Sequence, residues 1–104
     1  MRQIVDGKAY DTETADLIGN VDCGHPYASD FSYWDGSMYK TKRSGRYFIA
    51  GSGGPMSMFS VSVGQNEWGG SDGIIVLEPD EALEICEDQL DAEVIEKFFD
   101  IEEA

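Results

Sequence analysis

The stretch EPDEALEICEDQLDAEVIEKFFDIEEA, residues 78–104, holds twelve of the chain's 21 acidic residues against a single base, Lys97, and so −11 of its formal charge of −14. A segment this acidic would read as a disordered tail if its apolar residues were scattered. They are not. Ala82, Leu83, Cys86 and Leu90 fall at helical spacing, and Val94, Ile95, Phe98 and Phe99 make a second stripe. The spacing predicts two amphipathic helices. Pro79 suits the first position of a helix, where its missing N–H costs nothing, and Asp80 and Glu81 complement the positive end of the helix dipole. Asp91 is placed to cap the second helix. Glu81, Glu84, Glu87 and Asp88 lie opposite the first apolar stripe, joined near the turn by Asp91.

Outward from that stretch, residues 74–77 are apolar and mostly β-branched, which predicts a central strand feeding the helices. Residues 65–73 read as a turn-rich loop with Trp68 folded back onto the core. In 56–63, Phe59, Val61 and Val63 alternate with Ser60 and Ser62 as in a half-buried strand. Residues 33–42 and 46–50 flank Arg43, Ser44 and Gly45, so a hairpin with Gly45 in the left-handed position is expected, ended by the glycine-rich 51–55. Met38, Lys40 and Lys42 share one face of it, and Phe48 and Ala50 oppose Tyr47 and Ile49. The alternation leaves open which face is buried. Residues 22–32 read as loop.

At the amino end, Asp6 and Gly7 stand between two short strand-compatible runs, a strong hairpin signal because a type I′ turn needs φ > 0 at both central positions. In 11–19, Asp11 as cap, Glu13 in the first turn and Gly19 as stop predict a short helix, with a strand through 17–21 as the alternative. The order predicts one α+β domain over 1–104, with 1–77 mainly β and 78–104 helical. It would be an antiparallel sheet of five or six short strands with a short N-terminal helix and two acidic C-terminal helices.

With 41% hydrophobic residues, the 104-residue chain has enough apolar content for one core. No run reaches the roughly 20 apolar residues of a membrane span, and the amino terminus lacks the apolar region of a secretory signal, so a cytoplasmic protein of a bacterial cell is expected. Cys23 and Cys86 form no CxxC pair and read as reduced thiols. The negative charge repels nucleic acid and anionic membranes and directs the protein toward basic surfaces, unless it serves only solubility.

The segments GKAYDTETA (7–15), DFSYW (30–34), MYKTK (38–42), YFIAGSGGP (47–55) and LEPDEALE (77–84) resemble a family of small acidic proteins carried by gut bacteria, phages and other mobile elements. The resemblance spans nearly the whole chain and implies no catalytic residues. In size and charge the chain also resembles, in kind, the anti-CRISPR and anti-restriction proteins that imitate DNA.

Other constellations carry less. His25, two positions after Cys23, matches no zinc spacing. The glycine-rich 51–54 and 69–73 are not followed by a phosphate-binding lysine or a helix start and read as turns. Phe31, Tyr33, Trp34, Tyr39, Tyr47 and Phe48 read as core rather than as a base-stacking platform. No cofactor, metal or catalytic residue is expected. Lys40, Lys42, Arg43 and Arg46 gather four of the seven bases in one hairpin, facing either the protein's own acidic helices or an acidic partner.

The expectation is a non-enzymatic protein that docks Asp80, Glu81, Glu84, Glu87 and Asp88, with Asp91, Glu93 and Glu96, onto a basic nucleic-acid-binding surface, as an inhibitor of a defence complex. Twelve carboxylates over 27 helical residues would average about one per 3.4 Å of rise, close to phosphate spacing along one DNA strand. Phe98 or Trp68 would add contact area. The alternative is an interaction or assembly module, dimerising through a sheet edge or through Phe98 and Phe99, with the acids serving solubility alone.

Overall fold

A computed structural model of the chain describes residues 1–23, 33–54, 61–64, 67–69 and 71–104. The order is β1 (Arg2–Val5), β2 (Lys8–Asp11), β3 (Asp16–Asp22), β4 (Trp34–Lys40), β5 (Tyr47–Gly53), β6 (Val61–Gly64), β7 (Glu67–Gly69), β8 (Ser71–Leu77), α1 (Pro79–Gln89) and α2 (Ala92–Phe98). The class is α+β. The strands of the described residues form three antiparallel sheets rather than one. A four-stranded sheet runs β3-β4-β5-β8, and β1-β2 and β6-β7 are separate hairpins. Of the predicted loop at 22–32, Asp22 instead ends β3, and 24–32 with His25 and Phe31 lie outside the described residues, as do the start of the 56–63 strand and the packing of Trp68.

The first hairpin follows from its turn. Asp6 and Gly7 have φ of 51° and 75°, and the register pairs Val5 with Lys8 and Arg2 with Asp11. No helix follows it. Asp11 does start a turn, accepting the Glu13 N–H on Oδ1 at 2.9 Å and the Ala15 N–H on its carbonyl at 3.1 Å. One turn is all that forms. A helix through 11–19 has only local bonds to offer, whereas the extended chain from Asp16 pairs with β4 along its length.

The β4-β5 hairpin forms as its turn residues require, with Gly45 at φ 65°. The strand β5 runs on through Gly51 to Gly53 where the sequence suggests a stop. Gly51 pairs with Gly36 of β4, and a Cβ on Gly51 would stand 2.2 Å from the Asp35 carbonyl and 2.7 Å from the Gly36 Cα. Glycine here permits close approach of two strands rather than a turn.

Both faces of the four-stranded sheet are covered, which is why the alternation alone could not choose one. Toward the helices, Met38, Tyr47, Ile49 and Leu77 pack with Ala82, Cys86 and Ile95. Toward the β1-β2 hairpin, Phe48 and Ile74 pack with Tyr10. Phe48 is fully buried, edge-on to Tyr10 at 5.5 Å and stacked on Tyr39 at 5.2 Å. Burial of a side chain that size contributes about 3 kcal/mol. The all-apolar 74–77 is thus explained, but not by a central position. β8 is an edge strand whose alternate residues meet a different apolar layer on each side. It begins at Ser71, and β7 occupies 67–69, where a loop is predicted. Gln3 covers part of its open edge by accepting the Ile74 N–H at 3.2 Å.

Candidate partner-binding surface

α1 starts where Pro79 and its neighbours direct it. The Glu78 N–H donates to the Glu81 carboxylate at 3.0 Å, and the Ala82 N–H closes the first turn on the Glu78 carbonyl. The helix buries Ala82 and Cys86 completely and leans Leu83, Ile85 and Leu90 on the same core. Its five acids, Asp80, Glu81, Glu84, Glu87 and Asp88, are all exposed. At about 100° per residue they occupy roughly a third of the helix circumference, centred opposite Cys86. Glu84 lies one turn from both Asp80 and Asp88, and α1 contains no base. Each such like-charge neighbour costs about 0.2–0.5 kcal/mol, which packing of the apolar face has to offset.

Leu90 leaves the helix in an extended conformation (φ −120°), and Asp91 begins α2. Asp91 holds the cap position, although its carbonyl rather than its carboxylate accepts the Val94 and Ile95 N–H groups at 3.1 Å. Asp91, Glu93 and Glu96 are exposed, so all eight carboxylates expected to bind a partner reach solvent. The helical run is shorter than the sequence predicts. α2 ends at Phe98, and Asp100, Glu102 and Glu103 follow in non-helical chain. The even spacing of twelve carboxylates along one helical path is therefore replaced by Glu78 at the cap of α1, a compact five-acid row on α1, three further acids on α2 and its cap, and a separate end of three acids.

What stops α2 at Phe98 is a clamp from β4 and β5. The Tyr47 hydroxyl and the Lys40 ammonium both donate to the Phe98 carbonyl, at 2.7 and 2.9 Å. The cation stands at the negative end of the helix dipole. Phe99 then lies flat on the Tyr47 ring at a centroid distance of 4.6 Å. Phe98 and Phe99 are half-buried against the core. Both are thus engaged with their own chain, the Phe99 ring on Tyr47 and Phe98 against the apolar cluster and through its carbonyl. At the other end, Gln89 pairs with the backbone of edge strand β3, accepting the Asp22 N–H at 2.8 Å and donating to its carbonyl at 2.7 Å. Two residues invisible as site residues in the sequence, Tyr47 and Gln89, thus fix the direction of the acidic face.

None of the eight carboxylates is in an ion pair with a base among the described residues. The ion pairs there are Arg2 with Asp11 at 3.2 Å and Lys42 with Asp16 at 3.7 Å. Lys40 is taken out of the predicted basic patch by the clamp. The remaining bases of the hairpin, Lys42, Arg43 and Arg46, meet Lys8 of β2 around a cleft of about 620 Å³. Lys8 joins them only through folding, since nothing in its spacing relates it to residues 42–46.

Of the cysteines, Cys23 is half-buried at the end of β3, its N–H bonded to the Trp34 carbonyl. Cys86 is buried, with Sγ 3.5 Å from Met38 Sδ, and burial pushes its thiol up. Among the described residues no group of three or more His, Cys, Asp or Glu is placed to hold a metal ion, and no helix is long and apolar enough to cross a membrane. Comparison with protein-family models, curated proteins and solved structures returns no match for this chain.

Proposed function

We propose that this is a non-enzymatic binding protein that lays the acidic face of α1, extended by Asp91, Glu93 and Glu96, onto a basic surface built to hold a nucleic-acid backbone. Competition is the mechanism: carboxylates take the place of phosphates and steer the encounter electrostatically. The observation that carries the proposal is the unrelieved acidic row. Glu81, Glu84, Glu87 and Asp88 stand exposed on a helix that contains no base, while its opposite face is fixed to the core. One lysine a turn away from Glu84 would relieve the repulsion without disturbing the packing. A surface serving solubility alone has no need of so ordered a row. Inhibition of a defence complex, as with the DNA-imitating anti-CRISPR and anti-restriction proteins, is the biological setting that fits this chemistry.

The test is capture of partners from a bacterial lysate at about 50 mM and 500 mM salt, followed by displacement of DNA from whatever is retained. Basic nucleic-acid-binding proteins should be held at low salt and released at high salt. The double variant Glu84→Lys/Glu87→Lys should weaken capture by at least about tenfold. Retention that ignores salt, or that survives the double variant, rules the mechanism out.

A further inference from the structure

The cleft between β2 and the turn at 41–46 is the reverse of the acidic helices in charge. Its lining includes Lys8, Lys42, Arg43 and Arg46, four of the seven bases of a chain that carries 21 acids. Asp11 is the one acid there, and it is occupied. Its carboxylate accepts the Glu13 N–H at 2.9 Å and the Arg2 guanidinium at 3.2 Å, which together hold it below the usual carboxylate range. Among the described residues Lys8, Arg43 and Arg46 make no ion pair, and Lys42 has only an exposed contact of 3.7 Å with Asp16.

Bases without an ion pair among the described residues stand out in so acidic a protein, and simple solvation of a turn does not account for their convergence. The bases converge from two segments more than thirty residues apart, and the turn that carries three of them is fixed from within. Thr41 Oγ1 accepts the Arg46 N–H at 2.9 Å and lies 2.9 Å from Ser44 Oγ, while the Thr41 N–H donates to the Arg46 carbonyl at 2.8 Å. The backbone of the turn is therefore held in place, and the cleft's volume of about 620 Å³ falls within the range of small-ligand sites.

We propose that this cleft binds a small phosphate-bearing ligand of the size of a sugar phosphate or nucleotide. Two guanidinium forks suit the paired oxygens of a phosphate, and two ammonium groups supply further charge, giving a net excess near that of a diphosphate. A nucleic-acid duplex is a poor occupant, since the rest of the chain repels its extended charge. The site is independent of the helical acidic face, which belongs to the other side of the four-stranded sheet.

The test is backbone-amide NMR on the whole chain, titrated separately with inorganic pyrophosphate, with adenosine diphosphate, and with succinate at matched ionic strength. The proposal expects saturable shifts confined to residues 8–14 and 41–46 with the two phosphate compounds. Equal binding of both assigns the site to the phosphate groups alone, and tighter binding of the nucleotide adds contacts in the rest of the cavity. Arg43→Gln/Arg46→Gln should weaken binding by about tenfold or more, and Arg43→Lys should recover part of it. These are exposed positions, and an unchanged amide spectrum elsewhere confirms that the variants fold. Succinate shifts as large as those of pyrophosphate would overturn the proposal. So would shifts in the same amides that depend on protein concentration without any added anion, with a mass above monomer by light scattering. That outcome would give the cleft to the acidic helices of a second copy.

Discussion

Replacing Tyr47 by Phe removes one hydroxyl and leaves the ring that stacks on Phe99, so it isolates a single bond, from Tyr47 to the Phe98 carbonyl at 2.7 Å. The bond is partly buried, and its loss should cost about 1 kcal/mol. The cost stays moderate because Lys40 still donates to the same oxygen at 2.9 Å. Lys40→Met removes a charged donor at a helix C-terminus and should cost about 1–2 kcal/mol. With both changed, the carbonyl has neither donor, and the double variant should lose more than the sum of the singles by about 0.5–1 kcal/mol. The assay is urea unfolding at constant m-value, where each kcal/mol corresponds to about 4–8 °C in Tm for a chain of this size. Amide exchange at Ile95 and Phe99 should quicken first, since a seven-residue helix does not persist without its tertiary contacts. An unchanged midpoint for Tyr47→Phe, or strict additivity in the double variant, would refute the clamp.

Three other outcomes follow from the geometry. Gly51→Ala drives a Cβ into the backbone of β4, 2.2 Å from the Asp35 carbonyl, and should cost about 3 kcal/mol or more, whereas Gly73→Ala meets only the flexible Gln3 side chain at 3.4 Å and should cost less than about 1 kcal/mol; thermal unfolding compares them. Asp11 has its carboxyl lowered chiefly by the Glu13 N–H and further by Arg2. Its contribution to stability is therefore complete above the unfolded carboxyl value near pH 4 and is lost as pH falls through the lower native value. The stability of Asp11→Asn should accordingly fall short of the parent at pH 7 and converge with it in strong acid. In the native protein a thiol reagent should modify the half-buried Cys23 and spare Cys86, which should react only on unfolding; early labelling of Cys86 would contradict its buried place beside Met38.

Elements whose information is local were legible in the sequence. The Asp6-Gly7 and Gly45 turns each need a backbone conformation that few residues adopt, so their identity marks the hairpins directly. The stripes of α1 and α2 were equally plain, because a helix repeats its exposure every few residues, and the candidate carboxylates inherited their exposure from that period. Short segments whose state depends on a neighbour were not. Residues 11–19 carry helix-start signals that lose to pairing with β4, and Gly51 carries a stop signal that is cancelled by the glycine opposite.

The sequence by itself determined the charge, the two hairpin turns and the amphipathic helices, since each depends on residue type and spacing within a few positions. Only the tertiary structure decided which way the acidic face points and where it ends. Tyr47 and Lys40 reach the end of α2 from 51 and 58 residues away along the chain, and Gln89 of α1 reaches Asp22 of β3 across 67. It decided as well that Lys8 meets Arg43 and Arg46 around one cleft. Contacts of that range form when whole layers pack, and their partners are set by the fold of the sheet rather than by any pattern local to either residue.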